Sequence, residues 1–382
     1  MTRTTASLQA PASSPPSSAT STHRLLLAAG LASALTAVVA TLWLSQPAWN
    51  GFETESSGLL RTWLSAGAVA MSQLIIGLLG MVSASLALRA AHRAANWPRW
   101  LAPLGIAQTL FIGLGLIGMG VIAALGYLLA LVMPLALAFV VLQLVRRGER
   151  VRWIAVAITA VVLVAALATG ILTGPAAEAL RDVLVQLPSA LAQVSPFMLL
   201  LCTALAWAAV SVQAARRGGG TGLAPGIVLR HRRLITVLAA VGPLPYALVR
   251  LTWLTPWPLQ APADADPDIL FWGFALSLGA WAGSVLTLGL IRPWGETFPR
   301  WLPVIAGRPV PVALAAVPGG IVAGAVCAAA VPLLRSFAQH AFTDTLASAL
   351  IMPFWFWGPM LALAVWGYVL HRQQQSELRA VT

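Results

Sequence analysis

Long apolar blocks of about 20 residues alternate along this chain with short segments rich in arginine, proline or glycine. A helix needs about 20 apolar residues to cross the hydrocarbon core of a bilayer. The pattern therefore predicts an all-α, polytopic transmembrane helical bundle with about 10 spans. The predicted spans are 25–45, 65–88, 102–122, 125–145, 153–172, 196–214, 234–254, 270–291, 312–333 and 349–370.

Residues 101–145 form one apolar block that is too long for a single crossing. Arginines flank the block on both sides, so we expect the chain to cross and return, with a turn near Gly120–Gly126. Residues 1–22 contain mainly Ser, Thr, Pro and Ala, which predicts a disordered cytoplasmic tail. Residues 373–382 are predicted to be a second cytoplasmic tail.

The charge distribution predicts the orientation of the chain in the membrane. Only 9% of the residues are charged and 59% are hydrophobic, which excludes an ordinary soluble enzyme, a nucleic-acid-binding protein and a disordered chain. All 23 basic residues are arginine, and they gather at alternate ends of the spans. This bias predicts a multi-pass plasma-membrane protein with both termini in the cytoplasm and membrane lipids as its surroundings.

Three short sequence matches recur in the same order in both halves of the chain. They favour two parallel four-helix units, at 23–147 and 218–372, separated by an inserted transmembrane hairpin at 148–217. Apolar residues at helical spacing within 180–191 predict an outer amphipathic segment in that insert. Chance similarity in a low-complexity apolar chain is the alternative explanation. The matches pair 23–25 with 231–234, 97–101 with 298–302, and 130–134 with 349–353.

The seventh span has the best pattern for a ligand site within the membrane. Pro243 and Pro245 each remove a backbone donor, which predicts a broken helix. If the helix is unwound there, Tyr246 and Arg250 would face an internal, anion-binding cavity. The alternative is that Arg250 lies near the outer end of the span and reaches the headgroups.

The tenth span contains an aromatic cluster that includes Trp355 and Trp357. These rings could line a hydrophobic binding pocket. Packing between helices, or contact with lipid, is the alternative interpretation of the same cluster.

The loop 292–303 is the most distinctive polar stretch of the chain, because tryptophan and proline alternate with charges in it. We expect a rigid loop on the cytoplasmic surface that docks a membrane or cytoplasmic protein partner. Its candidate docking residues are Arg292, Trp294, Glu296, Arg300 and Trp301.

Catalytic motifs do not support any enzyme class. The chain has no HExxH, CxxC or GxSxG pattern, and without lysine it cannot form a Walker A site or a lysine Schiff base. Cys202 and Cys327 fall inside apolar blocks and lack metal-ligand spacing. We therefore expect no catalytic residue, no metal and no cofactor, although an intramembrane enzyme stays open as a third reading.

Two stretches carry a resemblance to a known group of proteins. They are Pro245, Tyr246, Arg250 and Trp253 in the seventh span, and 294–296 with 298–301 in the loop. On these residues, 234–372 resembles uncharacterised polytopic membrane proteins of actinobacteria. The resemblance implies a membrane location and no activity that can be carried over. Glu296 has no counterpart in the first-half match, so the two predicted units are not equivalent there.

Two functional hypotheses follow from these patterns. The first is a permease or binder of a small apolar or anionic molecule, with Tyr246, Arg250, Trp355 and Trp357 as ligand residues. The alternative is a non-catalytic membrane subunit or scaffold that docks a partner through the loop 292–303.

Overall fold

The computed structural model describes most of the chain as helix. It describes residues 17–54, 58–93, 97–126, 174–217, 223–262, 267–300, 306–338 and 342–381, with isolated positions between 127 and 173. Within these residues, the one pairing of extended backbone is a single antiparallel bridge between Thr297 and Pro309. The all-helical class predicted from the apolar blocks is therefore confirmed.

The principal helices follow the apolar blocks closely. They are α1 (Ser17–Ser45), α2 (Ala66–Arg93), α3 (Leu101–Leu110), α4 (Gly174–Arg217), α5 (Leu223–Arg230), α6 (Arg232–Val241), α7 (Leu244–Leu251), α8 (Pro267–Gly289), α9 (Val312–Phe337), α10 (Phe342–Ile351) and α11 (Phe354–Val381).

Seven helices of the described chain are long and apolar enough to cross a membrane. A bent helix pair, Leu101–Leu116 with Gly120–Gly126, brings the count to eight if the pair is one span. These eight match eight of the predicted spans, while most residues of the predicted spans 125–145 and 153–172 lie outside the described part of the chain. The seven are His23–Ser45, Ala66–Ala91, Leu187–Ala215, Arg232–Leu254, Ile269–Gly289, Val312–Phe337 and Thr345–Leu378.

The residues Gly120–Gly126, near which a turn is predicted, are themselves helical. The chain bends by 81° just before them, after α3 has widened into a π-helix at Phe111–Leu116. The amide of Ile117 donates to the carbonyl of Ile112 at 3.2 Å, which closes the wide turn and ends the helix. Ile117 is fully buried, and a Cβ at Gly58 would clash with the carbonyl of Gly115. Close packing of the loop around Gly58 therefore fixes the bend.

Three helices extend beyond the boundaries that hydropathy predicted. α1 begins at Ser17, so its first turns fall within the predicted disordered tail. α4 is continuous from Gly174 to Arg217, so the predicted outer segment is not a separate helix despite Pro188 and Pro196. α11 continues to Val381 through the predicted C-terminal tail. Hydropathy indicates where a helix leaves the hydrocarbon core of the membrane. The backbone hydrogen bonds of the helix can continue beyond that point.

The described helices pack into two groups with similar contacts. In the first, α1 packs on α2, while α4 packs on both α1 and α3. In the second, α6 and α7 pack on α8, while α11 packs on both α6 and α9. α4 belongs to the first group, although the sequence pattern placed its residues in the inserted hairpin. The internal repeat itself stays a prediction.

An apolar cluster joins the two groups of helices. It combines Ile112 and Leu116 near the bend, Phe197 and Leu201 of α4, and alanines of α9. The small alanines let α9 approach closely, as is typical of helix contacts within membranes.

Candidate functional site

The loop that follows α8 folds into a short hairpin. The amide of Phe298 donates to the carbonyl of Arg308 at 2.9 Å, and the amide of Gly307 donates back to Phe298 at 2.9 Å. A third bond, also 2.9 Å, runs from the amide of Val310 to the carbonyl of Glu296. Gly307 has a φ of +72°, a left-handed conformation that favours glycine at the turn. We call residues 293–300 and 306–310 the hairpin.

Arg372 of α11 fixes the hairpin to the helical bundle. Its guanidinium donates to the carbonyls of Val310 at 3.0 Å, Glu296 at 3.4 Å and Gly295 at 3.5 Å, and to the hydroxyl of Tyr368 at 3.2 Å. The hydroxyl of Tyr368, which is fully buried, donates to Gly295 at 2.9 Å. Arginine suits this position because its fixed fork of donors can reach several carbonyls together.

Glu296 makes the second link between the hairpin and α11. One carboxylate oxygen lies 3.3 Å from Nε2 of His371, and the other accepts a hydrogen bond of 3.1 Å from Nε2 of Gln375. Nε2 of Gln375 also lies 3.0 Å from Nε2 of His371. A single ring nitrogen cannot both donate and accept, so His371 either donates to Glu296 or accepts from Gln375.

The helical residues in these links were missed by the sequence analysis. Tyr368, His371, Arg372 and Gln375 repeat at i, i+3, i+4 and i+7, so they share one face of α11. The sequence feature that could have revealed them is this polar stripe at helical spacing, which continues α11 past its apolar block. The predicted span ended at 370, and the predicted cytoplasmic tail began at 373.

An open cleft of about 390 Å³ lies between the hairpin and α11. Together, the hairpin and residues 368–376 of α11 form a surface that we call the platform. The cleft is lined by Glu296, Thr297, Pro309, Val312, Arg372, Gln373, Gln375 and Ser376.

The structure places four of the five predicted docking residues at the platform or its edge. Arg292 and Arg300 are exposed, and Glu296 is half-buried against α11. Trp294 packs against Gly289 and keeps 37% of its surface exposed. Trp301 lies outside the described residues.

The predicted ligand residues Tyr246 and Arg250 contact each other within a single helical turn. The guanidinium of Arg250 lies 3.9 Å from the ring centroid of Trp253 and 5.1 Å from that of Tyr246. Trp253 is buried, and its indole N–H donates to the carbonyl of Leu259 at 2.9 Å. Cation–π contacts with these rings stabilise the guanidinium of Arg250. The contact between Arg250 and Trp253 was not predicted from the sequence.

The predicted break in the seventh span is a local interruption rather than an unwound segment. Gly242 and Pro243 separate α6 from α7 but keep helical backbone angles, and Arg232–Leu254 stays one candidate span. Hydroxyls of α8 donate to carbonyls on each side of the break, from Ser277 to Ala247 at 2.8 Å and from Ser284 to Ala240.

The two candidate tryptophans of the tenth span have different environments. Trp357 packs over Gly242, where a Cβ would lie 2.6 Å from the indole. Trp355 is 49% exposed and donates to the carbonyl of Ala349 at 3.2 Å. The structure therefore brings Trp357 to the break and leaves Trp355 on the surface.

No protein-family model, curated protein or solved structure matches this chain. The resemblance to actinobacterial membrane proteins has no support from these comparisons. Over the residues that the structure describes, the chain is all-helical, and its apolar helices fit a membrane.

Proposed function

We propose that this protein is a non-catalytic membrane subunit or scaffold that docks a protein partner on the platform. The observation that carries the proposal is the pre-formed hairpin, held to α11 by the donors of Arg372 beside an open cleft. A surface that is ordered before binding loses little conformational entropy when a partner binds. Such a surface suits docking better than a free loop does.

The chemistry of the platform edge favours a partner with an acidic segment. Arg292, Arg300 and Arg308 are exposed around the hairpin, and Trp294 adds a partly exposed aromatic surface. Arginine and tryptophan are the side chains most enriched among residues that dominate binding energies. Carboxylates of a partner would pair with the guanidinium groups of Arg292 and Arg308.

The location that we propose for the platform is the cytoplasmic face of the plasma membrane. Arg292, Arg300 and Arg308 lie around the platform. Short loops that are rich in arginine face the cytoplasm, and the predicted orientation is based on the same rule. Both predicted termini would then lie on the same side as the platform.

A binder or permease of a small apolar or anionic molecule is the second candidate. The observation that favours it is the interruption at Gly242, where the indole N–H of Trp357 is buried and lacks a hydrogen-bond partner among the described residues. Pro243 and Pro245 cannot donate to the carbonyls one turn before them. A small ligand could pair with both kinds of group.

Affinity purification in mild detergent tests the docking proposal. We expect a stoichiometric protein partner with the wild type, and at least about tenfold less of it when Arg292 and Trp294 are replaced by alanine. Trp257→Ala is the matched control, because Trp257 is 78% exposed and is not part of the platform. Its partner recovery should equal that of the wild type.

Two results would contradict docking on the platform. One is a partner that is retained equally by the Arg292→Ala, Trp294→Ala double variant. The other is a homogeneous protein that carries only lipid or a small molecule, which would favour the second candidate.

A further inference from the structure

A cluster of polar side chains is buried in the first group of helices, away from the platform. The cluster includes glutamine, serine and threonine but no charged residue, and none of its members exceeds 4% exposure. Polar groups in an apolar bundle are costly unless they are hydrogen-bonded. The members are Ser33 and Thr36 of α1, Gln73 of α2, Gln108 of α3, and Thr203, Trp207 and Ser211 of α4.

Hydrogen bonds between helices satisfy part of this cluster. The indole N–H of Trp207 donates to Ser33 Oγ at 2.9 Å, and the hydroxyls of Thr36 and Thr203 lie 3.0 Å apart. Gln73 donates through Nε2 to the carbonyl of Thr36 at 3.1 Å. The cluster is therefore an ordered contact among helices.

Three amide atoms of the cluster lack a partner in the described chain. They are Nε2 and Oε1 of Gln108 and Oε1 of Gln73, and these two glutamines are 0% and 1% exposed. Leaving one buried polar group unsatisfied costs about 1–3 kcal/mol. Gln108 offers a donor and an acceptor on the same amide, and Gln73 adds a second acceptor.

Glycines near these amides limit the size of any molecule that the amides could bind. A Cβ at Gly80 would lie 2.9 Å from Oε1 of Gln108 and would clash with Oγ of Ser33, so the two oxygens are neighbours. A Cβ at Gly105 would likewise clash with Oγ of Ser211. Such close helix approach excludes a large molecule from the space beside these amides.

We propose that α1, α2, α3 and α4 enclose a binding site for a small, uncharged molecule that both donates and accepts hydrogen bonds. The molecule accepts from Nε2 of Gln108 and donates to the carbonyl oxygen of Gln108 or Gln73. Water is the smallest molecule with this chemistry, and a small primary amide is the next class that fits it. The site is independent of the platform and of the docking proposal.

Radiolytic hydroxyl labelling of the full chain in lipid nanodiscs tests for water. Radicals form from water where it is bound. The reactive ring within the cluster is Trp207, which is fully buried and bonded to Ser33. We expect Trp207 to be oxidised in the wild type. Gln108→Met, which keeps the side-chain length, should reduce this labelling severalfold. Trp43, buried among Phe52 and Phe197, is the internal control and should not change.

Thermal unfolding with acetamide as the probe tests whether the bound molecule is a small primary amide rather than water. A wild-type midpoint that rises with acetamide, with no rise in Gln108→Met or Gln73→Met, would assign the site to a small amide. Gln73→Met removes the other unpaired oxygen, so the test does not depend on one variant folding. An unlabelled Trp207, together with equal acetamide responses in all three proteins, would overturn the proposal.

Discussion

Replacing Arg372 with methionine is expected to release the hairpin from α11. The change removes donors to three backbone carbonyls and to Tyr368, and methionine preserves most of the apolar stem. Hydrogen bonds from a charged group each contribute about 1.5–3 kcal/mol, and partial exposure of Arg372 lowers that contribution. We therefore expect the free energy that holds the hairpin on α11 to fall by about 2–4 kcal/mol. Hydrogen–deuterium exchange in nanodiscs measures it.

The amides of Phe298, Gly307 and Val310 report the release directly, because they form the hydrogen bonds of the hairpin. A loss of about 2 kcal/mol corresponds to roughly 30-fold faster exchange at these amides. Gln374→Met is the control. Gln374 lies two residues after Arg372 on α11, is exposed and does not line the cleft. Unchanged exchange in the Arg372→Met protein would show that other contacts hold the hairpin.

Gly295→Ala is expected to displace the start of the hairpin from the end of α8. A Cβ at Gly295 would overlap the carbonyl oxygen of Gly289, and neither partner is a flexible side chain. Overpacking of this kind costs about 1–3 kcal/mol or more. The carbonyl of Gly295 also accepts from Tyr368 and Arg372, so its displacement weakens both bonds.

The thermal unfolding midpoint in detergent should fall by about 1–4 °C for Gly295→Ala. Gly283→Ala is the matched control, because Gly283 lies within α8 and a Cβ there meets no atom within 4 Å. That control should match or exceed the wild-type midpoint, since alanine favours helix more than glycine. Equal midpoints for the two variants would contradict the close contact between Gly295 and Gly289.

Much of the helical architecture could be predicted because the membrane limits the solutions. An apolar block of about 20 residues has few alternatives to a spanning helix, so the bounds near Ala66 and Val312 agree with the pattern. The bend at Ile117 could not be predicted, because it depends on a π-helical turn and on packing around Gly58. Neither feature leaves a periodic signal in the sequence.

The platform was predicted only in part. The loop drew attention through Trp294 and Glu296, and both lie on the platform. Its partners on α11 are far away in sequence, and their role becomes visible only when the hairpin folds against Arg372. Arg250 was chosen as a ligand residue because its charge falls within an apolar block, and that role stays a prediction. The rings of Tyr246 and Trp253 already stabilise that charge.

Photo-crosslinking in cells is the most direct test of docking on the platform. A photoreactive amino acid at Gln373, which is exposed and lines the cleft, should give one discrete crosslinked protein. The same probe at Gln374, exposed but outside the cleft lining, should give little or none of it. Adding Arg372→Met should remove the crosslink at Gln373. Equal crosslinking from both positions, or products with lipid alone, would contradict the proposed docking function.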